Sequence, residues 1–149
     1  MKPNLSTLTI VHYALTLGPL VCLGVFYFLR SSGSSAQTDP EVTQLLTYMA
    51  IGMTVMALAV SSVLPAAILK PAREETRSLG PEERFATLFP KYYSAKIIQW
   101  AVLEGAAIFC GVVYLMGGPE LLLGAGVLLV LYLAMQRPGQ SDYEARTGA

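Results

Sequence analysis

Two long stretches of this chain contain no charged residue. No Asp, Glu, Lys or Arg occurs in residues 3–29 or in residues 42–69. A helix that crosses the hydrocarbon core of a bilayer needs about 20 apolar residues, so each stretch is long enough to span the membrane alone. The stretches are continuously apolar instead of alternating, which favours helices over strands. An open sheet would also leave unpaired backbone groups in lipid.

Two further apolar stretches predict a third and a fourth membrane helix. The third is interrupted by one acid, Glu104. The overall composition agrees with a membrane protein, because 13% of the residues are charged and soluble domains contain about 25%. The sequence therefore predicts an all-α fold in which one domain, residues 1–149, forms an integral membrane four-helix bundle. Its helices are expected at residues 5–29, 42–69, 93–116 and 119–136.

The polar middle loop between the second and third helices predicts a short interfacial helix at residues 81–89. Pro81 fits the first turn of a helix, and the two acids that follow it favour the positive end of the helix dipole. Pro90 is expected to end this helix, because proline removes a backbone hydrogen bond. The polar tail, residues 138–149, is predicted to be disordered.

Positive charge lies almost entirely on one side of the predicted topology. Of the 10 Lys and Arg residues, Arg30 alone falls on the outer side. Because cytoplasmic loops carry an excess of Lys and Arg, both termini are predicted to be cytoplasmic. The expected location is the bacterial inner (cytoplasmic) membrane, with the chain as a multi-pass protein. The inner side holds Lys2, Lys70, Arg73, Arg77, Arg84, Lys91, Lys96, Arg137 and Arg146.

Glu104 is the residue in the membrane helices that most needs an explanation. It lies roughly 16 Å along the predicted third helix, near the bilayer centre, where an ionised acid costs about 2.5–3.5 kcal/mol. Such acids usually face the interior of a bundle and are candidates for function. Ala101 with Gly105, and Ala107 with Gly111, form small-xxx-small pairs that predict close helix packing. We therefore expect Glu104 to point at another helix.

Three polar side chains on other helices are candidates to meet Glu104. Thr16 is expected at the depth of Glu104, and His12 one helical turn nearer the cytoplasm. Ser61, on the antiparallel second helix, is expected at intermediate depth. A His and a Glu together could relay a proton, so these four residues form a candidate proton- or ion-binding cluster. Alternatively, a protonated Glu104 could hydrogen-bond a neighbouring helix and hold the helices together.

The third helix resembles the carboxylate-bearing helix of rotary ATP synthase proteolipids, the c subunits. The resemblance covers the stretch from Lys96 to Phe109, KIIQWAVLEGAAIF, in which one Glu is followed by small residues and an aromatic one. In that family the carboxylate binds the transported proton or sodium ion, which implies the same role for Glu104. The Leu103-Glu104-Gly105 and Arg137-Pro138 sequences also resemble those of a group of small bacterial four-helix membrane proteins. This resemblance implies the four-helix fold, but it does not imply any particular activity.

The sequence favours a non-enzymatic protein without a cofactor. The single histidine and the two cysteines lack the spacing of metal ligands. The net charge of zero argues against nucleic acid as a partner. Two functions remain. The first is a structural or accessory subunit of a membrane assembly, whose partners would be the lipid bilayer and either copies of itself or a larger complex. The alternative is a proton- or ion-translocating, proteolipid-like protein that uses Glu104.

Overall fold

Five α-helices form the part of the chain that the structure, a computed structural model, describes: residues 5–34 and 38–148. The predicted all-α class is therefore confirmed. Lys2, one of the cations on the predicted inner side, lies outside the described residues, as does Ala149 at the end of the tail. In chain order the helices are α1 (Ser6–Ser31), α2 (Pro40–Glu75), α3 (Pro81–Leu115), α4 (Glu120–Met135) and α5 (Gln140–Thr147).

The first three of these helices are long and apolar enough to span a membrane. They contain 26, 36 and 35 residues, and a span needs about 20. α4 has 16 residues and qualifies as a span only together with α5, from which it is bent by 85°. A fourth span, the four-helix arrangement that depends on it and the cytoplasmic location of both termini stay predictions.

α3 is the central helix of the molecule. It packs against each of the other four helices of the described chain. In its most apolar segment of 18 residues, half of the residues are buried, whereas 22% are buried in the corresponding segment of α1 and 17% in that of α2. Trp100, Leu103 and Ala107 of α3 are inaccessible to solvent. The outward faces of α1 and α2 are exposed and apolar, as expected for helices in contact with lipid.

The predicted interfacial helix at residues 81–89 is not a separate element, and this expectation is corrected. α3 continues from Pro81 to Leu115 with Pro90 inside it. Proline costs a backbone hydrogen bond, but Leu88 and Tyr92, on either side of Pro90, are both fully buried. Packing of this face compensates for the lost hydrogen bond, since tertiary contacts supply most of the stability of protein helices.

α2 is longer than the predicted range of residues 42–69. It begins at Pro40, where the side chain of Asp39 accepts a hydrogen bond from the backbone N–H of Glu41, and it continues past Pro65 and Pro71 to Glu75. At 1.5 Å per residue the helix is about 54 Å long. This length exceeds the roughly 30 Å hydrocarbon core of a bilayer. If α2 spans a membrane, part of it therefore continues beyond the apolar layer.

The tail also differs from its prediction, because residues 138–149 contain a helix where we expected disorder. Gln140–Thr147 form α5. Asp142 and Arg146 make an ion pair one turn apart, and the side chain of Tyr143 is buried. Eight mostly polar residues do not form a stable helix in isolation. The contacts of α5 with the rest of the molecule provide the missing stability.

Candidate functional site

Glu104 lies on the side of α3 that faces α1. A Cβ atom added to Gly18 of α1 would lie 3.4 Å from Oε1 of Glu104, so the carboxyl group is next to the backbone of the neighbouring helix. The side chain of Glu104 is partly exposed. Within the described part of the chain, no hydrogen bond or ion pair joins it to another residue.

The other members of the predicted cluster form hydrogen bonds elsewhere. His12 is buried, and its Nε2 donates to the backbone carbonyl of Leu133 on α4 (2.9 Å). Thr16 donates to the carbonyl of His12 (2.8 Å), and Ser61 donates to a carbonyl within α2 (2.9 Å). Among the described residues, the structure therefore does not join His12, Thr16, Ser61 and Glu104 into one hydrogen-bonded cluster. Helical rise gives the depth of a residue but not the direction of its side chain.

One of the two predicted small-residue pairs lies at a helix contact. Ala107 and Gly111 are buried, and a Cβ atom on Gly111 would lie 2.6 Å from two side chains of α1. Ala101 and Gly105 are exposed, and a Cβ atom on Gly105 would meet nothing within 4 Å. The packing role expected for Ala101 and Gly105 is therefore corrected, because this pair lies on the outward side of α3.

A buried ion pair, for which the sequence carries no local signal, joins α3 to α5. The side chain of Lys96 is 1% exposed, and its Nζ lies 2.8 Å from Oδ2 of Asp142. The same carboxylate accepts hydrogen bonds from the hydroxyl of Tyr92 and from Nε of Arg146, both at 2.7 Å. We refer to these four residues as the Lys96 cluster. Its contacts compensate a charge that would cost several kcal/mol if it were buried alone.

Two arginines from the neighbouring helices hold the C-terminal end of α5. Arg73 of α2 donates from Nη2 to the carbonyl of Ala145 (2.7 Å). Arg84 of α3 donates to the carbonyls of Thr147 (3.1 Å) and Gly148 (2.9 Å). The last carbonyls of a helix have no partner within it and carry partial negative charge, so guanidinium groups stabilise them. α5 is therefore bonded to both α2 and α3.

Aromatic packing completes the docking of α5. Tyr143 is 2% exposed, and its ring packs edge-on against the rings of Phe85, Phe89 and Tyr92 at centroid distances of 5.2–6.1 Å. Aromatic pairs favour this geometry. Residues 81–89 of α3, where the sequence predicts an interfacial helix, contribute Phe85 and Phe89 to the surface against which α5 packs.

The Lys96 cluster predicts that α5 docking weakens in acid. Burial opposes ionisation of Asp142, but hydrogen bonds from Lys96, Arg146 and Tyr92 outweigh it and hold the pKa of Asp142 below its usual value of 3.8. Because the folded state favours the carboxylate, its contribution to stability is present above pH 3.8 and is lost as the pH falls through the lowered pKa. Trp100 can report the change, since the centre of its ring lies 5.9 Å from Nζ of Lys96. We expect its fluorescence to shift in this acidic range.

Asp142→Asn is the control for this acid transition. The amide cannot titrate, so the transition below pH 3.8 should disappear even though the variant is less stable throughout. The emission of Trp100 is recorded against pH for both proteins, with circular dichroism to follow helix content. An acid transition that is identical in Asp142→Asn and in the wild type would contradict the assignment to Asp142.

Arg30 organises the opposite end of the molecule. Its Nη1 donates to the carbonyls of Tyr114 and Gly118, both at 2.6 Å, and its guanidinium carbon lies 4.2 Å from the centre of the Tyr114 ring. These contacts join the end of α1 to the turn between α3 and α4. The cation predicted to be on the outer side is therefore part of the helix packing.

Comparison with known proteins gives no family assignment, since no family model, curated protein or solved structure matches the chain. The resemblance of α3 to the proteolipid helix thus depends on the stretch from Lys96 to Phe109 alone. The fold and the site define a helical chain in which three helices could span a membrane. At one end of the folded molecule, the Lys96 cluster joins α5 to α3.

Proposed function

We propose that the chain is a non-enzymatic integral membrane protein of the bacterial inner membrane, acting as a structural or accessory subunit of a membrane assembly. This proposal is supported by the buried polar side chains, which bond to neighbouring helices. His12 bonds to α4, Gln99 donates to the carbonyl of Ser61 on α2 (2.6 Å), and Lys96 pairs with α5. Side chains engaged in this way fix the positions of helices. A scaffold needs such fixed contacts, whereas catalysis needs polar groups that can reach a substrate.

The outward faces of α1 and α2 provide the surface that such a subunit would use. Ile10 and Phe28 on α1 are 70% and 68% exposed, and Met56 and Val63 on α2 are 62% and 64% exposed. A neighbouring membrane helix is as apolar as a lipid chain, so these faces suit either. A homo-oligomer or a larger membrane complex would bury part of them.

Photo-crosslinking in native membranes tests the accessory role. A photoreactive amino acid is introduced at Leu17, Met56 or Leu128, which are exposed on α1, α2 and α4, and at Trp100, which is fully buried, as a control. We expect protein adducts of discrete mass from at least one exposed position and none from Trp100. Adducts with lipid alone at all three exposed positions would contradict the proposal.

A second candidate function is proton or ion translocation through Glu104. The position of its carboxyl group favours this function, since it lies beside Gly18 on α1 without a hydrogen bond to any described residue. Acids within membrane helices commonly mark ion pathways. In proteolipids, however, the partner helix carries a run of alternating glycines, whereas α2 contains only Gly52. We therefore place translocation second.

We expect Glu104→Gln to fold normally and to leave the proton permeability of reconstituted liposomes unchanged. Glutamine is close in shape to glutamate and forms no new charge, and an accessory subunit conducts no protons through this site. Permeability is measured with a pH-sensitive dye under an imposed potential, and folding by circular dichroism. Glu120→Gln, an exposed acid in the first turn of α4, is the matched control. Proton flux that is lost only in Glu104→Gln would favour translocation over the accessory role.

A further inference from the structure

A cavity of about 380 Å³ opens on α2 beside the C-terminal helix. Its wall follows one face of α2 from Ser62 to Glu74, and Arg146 of α5 closes the far side. The α2 residues that line it recur three or four positions apart, which is the spacing of neighbours on one helix face. The docking of α5 therefore creates the cavity, since the face of α2 alone would have no opposite wall.

The polarity of the lining changes along α2. Pro65, Ala66 and Leu69 line the part of the cavity nearer the middle of the helix, whereas Lys70, Arg73 and Arg146 line the part nearer its end. Ser62 also lines the first part, and its hydroxyl donates to the carbonyl of Leu58. α2 is longer than the apolar layer of a bilayer is thick. A charge-free stretch followed by cations is expected at the depth where hydrocarbon gives way to headgroups.

The cationic end of the cavity has hydrogen-bond donors to spare. Three cations and one carboxylate, Glu74, line this end, and Arg146 is also paired with Asp142. Arg73 and Arg146 each use one nitrogen to bind groups of α5, and each guanidinium has five N–H donors. Nε of Arg73 is buried without a partner, and Lys70 forms no hydrogen bond or ion pair within the described chain. The excess of donors and positive charge favours an anion.

We propose that this cavity binds an anionic phospholipid, with the phosphate between Lys70, Arg73 and Arg146 and an acyl chain along Ala66, the apolar lining residue that is exposed. Cations that continue directly into an apolar wall suit a lipid, because a soluble anion would use only the charged end. Basic pockets beside membrane helices are typical headgroup sites on the cytoplasmic side, and the Lys and Arg distribution predicts that this end is cytoplasmic. The site does not depend on the accessory role proposed above.

Native mass spectrometry of the purified full chain tests this site. The protein in detergent is titrated with phosphatidylglycerol or with zwitterionic phosphatidylcholine, and the bound lipids are counted. We expect phosphatidylglycerol to bind more tightly, and Lys70→Gln to weaken it about fivefold, which is the effect of one cation near an anionic headgroup. Glu74→Gln should instead strengthen binding, because it removes the carboxylate that competes with the phosphate.

Arg77→Gln is the matched control, since it changes the net charge by the same amount at an exposed position in the turn after α2. We expect no change in phosphatidylglycerol affinity from this variant. Equal affinities of the wild type for the two lipids, or equal losses in Lys70→Gln and Arg77→Gln, would overturn the proposal.

Competition with an excess of inorganic phosphate distinguishes a lipid headgroup from a soluble phosphate as the ligand. Retention of phosphatidylglycerol supports a lipid site, and its displacement would indicate a soluble anion and overturn the lipid assignment.

Discussion

We expect the replacement of Asp142 by alanine to lower the free energy of unfolding by about 2–4 kcal/mol. Breaking a fully buried ion pair costs about 3–5 kcal/mol, because the remaining charge stays buried without compensation. Lys96 is 1% exposed, but the side chain of Asp142 is 27% exposed, so water replaces part of the lost contact and the cost falls below that range. The measurement is unfolding in mixed detergent micelles, followed by circular dichroism.

Lys96→Met is the companion variant, because methionine keeps most of the apolar stem and removes the charge. Asp142 retains its hydrogen bonds from Tyr92 and Arg146, so this change should cost about 1 kcal/mol or less. In the Lys96→Met background, Asp142→Ala should cost clearly less than it does in the wild type. Equal costs of Asp142→Ala in the two backgrounds would contradict the ion pair between α3 and α5.

The second large effect is expected from Gly111→Leu, which should destabilise the protein by about 3 kcal/mol, at the upper end of the range for overpacking. A Cβ atom at this position would already lie 2.6 Å from Leu23 Cδ2 and from Phe26 Cδ2. Both side chains belong to α1, so the larger residue must push α1 away from α3. Gly111→Ala should have a smaller effect in the same direction, partly offset by the better helix propensity of alanine.

Gly105→Leu provides the matched comparison on the same helix. A Cβ atom at Gly105 meets nothing within 4 Å, so we expect no loss of stability and a gain of up to about 1 kcal/mol from helix propensity. The two variants are compared by the same unfolding measurement. A similar loss from both substitutions would show that α3 does not approach α1 at Gly111 as described.

The membrane helices could be predicted from the sequence because their signal is local. The charge-free run at residues 42–69 lies within α2, and the described part of the run at residues 3–29 lies within α1 apart from Leu5. The limits of α3 could not be predicted in this way, since Pro90 ends a helix by local rules. Its continuation depends on the burial of Leu88 and Tyr92, and burial is set by the rest of the fold.

The docking of α5 could not be derived from the tail itself. Residues 140–147 are mostly polar, and their helix is stabilised by partners on α2 and α3 that lie far away in sequence. A local signal was present in the spacing of Asp142 and Arg146, which places opposite charges one turn apart on a helix. Tyr143, which lies between them, is a large aromatic residue and indicated that one side of this helix would be buried. The sequence places Lys96 among the cytoplasmic charges and gives no indication that it pairs with Asp142.

The surroundings of Glu104 show the same limit. The sequence predicts that Glu104 points at another helix without indicating which one, and in the structure its carboxyl group lies next to Gly18 of α1. The hydrogen bond of Ser61 to the carbonyl of Leu58 is a local one that serines in helices often make. The hydrogen bond of His12 could not be foreseen, because it goes to a backbone carbonyl 121 positions away. Backbone carbonyls are present at every position of a sequence, so a sequence does not show which distant carbonyl a side chain will reach.

Lys96 leaves the ribosome well before Asp142 does, because synthesis proceeds from the N-terminus to the C-terminus. Its ammonium group therefore has no Asp142 to pair with until α5 has been made. Closure of this end of the molecule by α5 thus follows the synthesis of α3 and α4. A chain released before α5 is made would leave the charged side chain of Lys96 without its partner and exposed to water at that end.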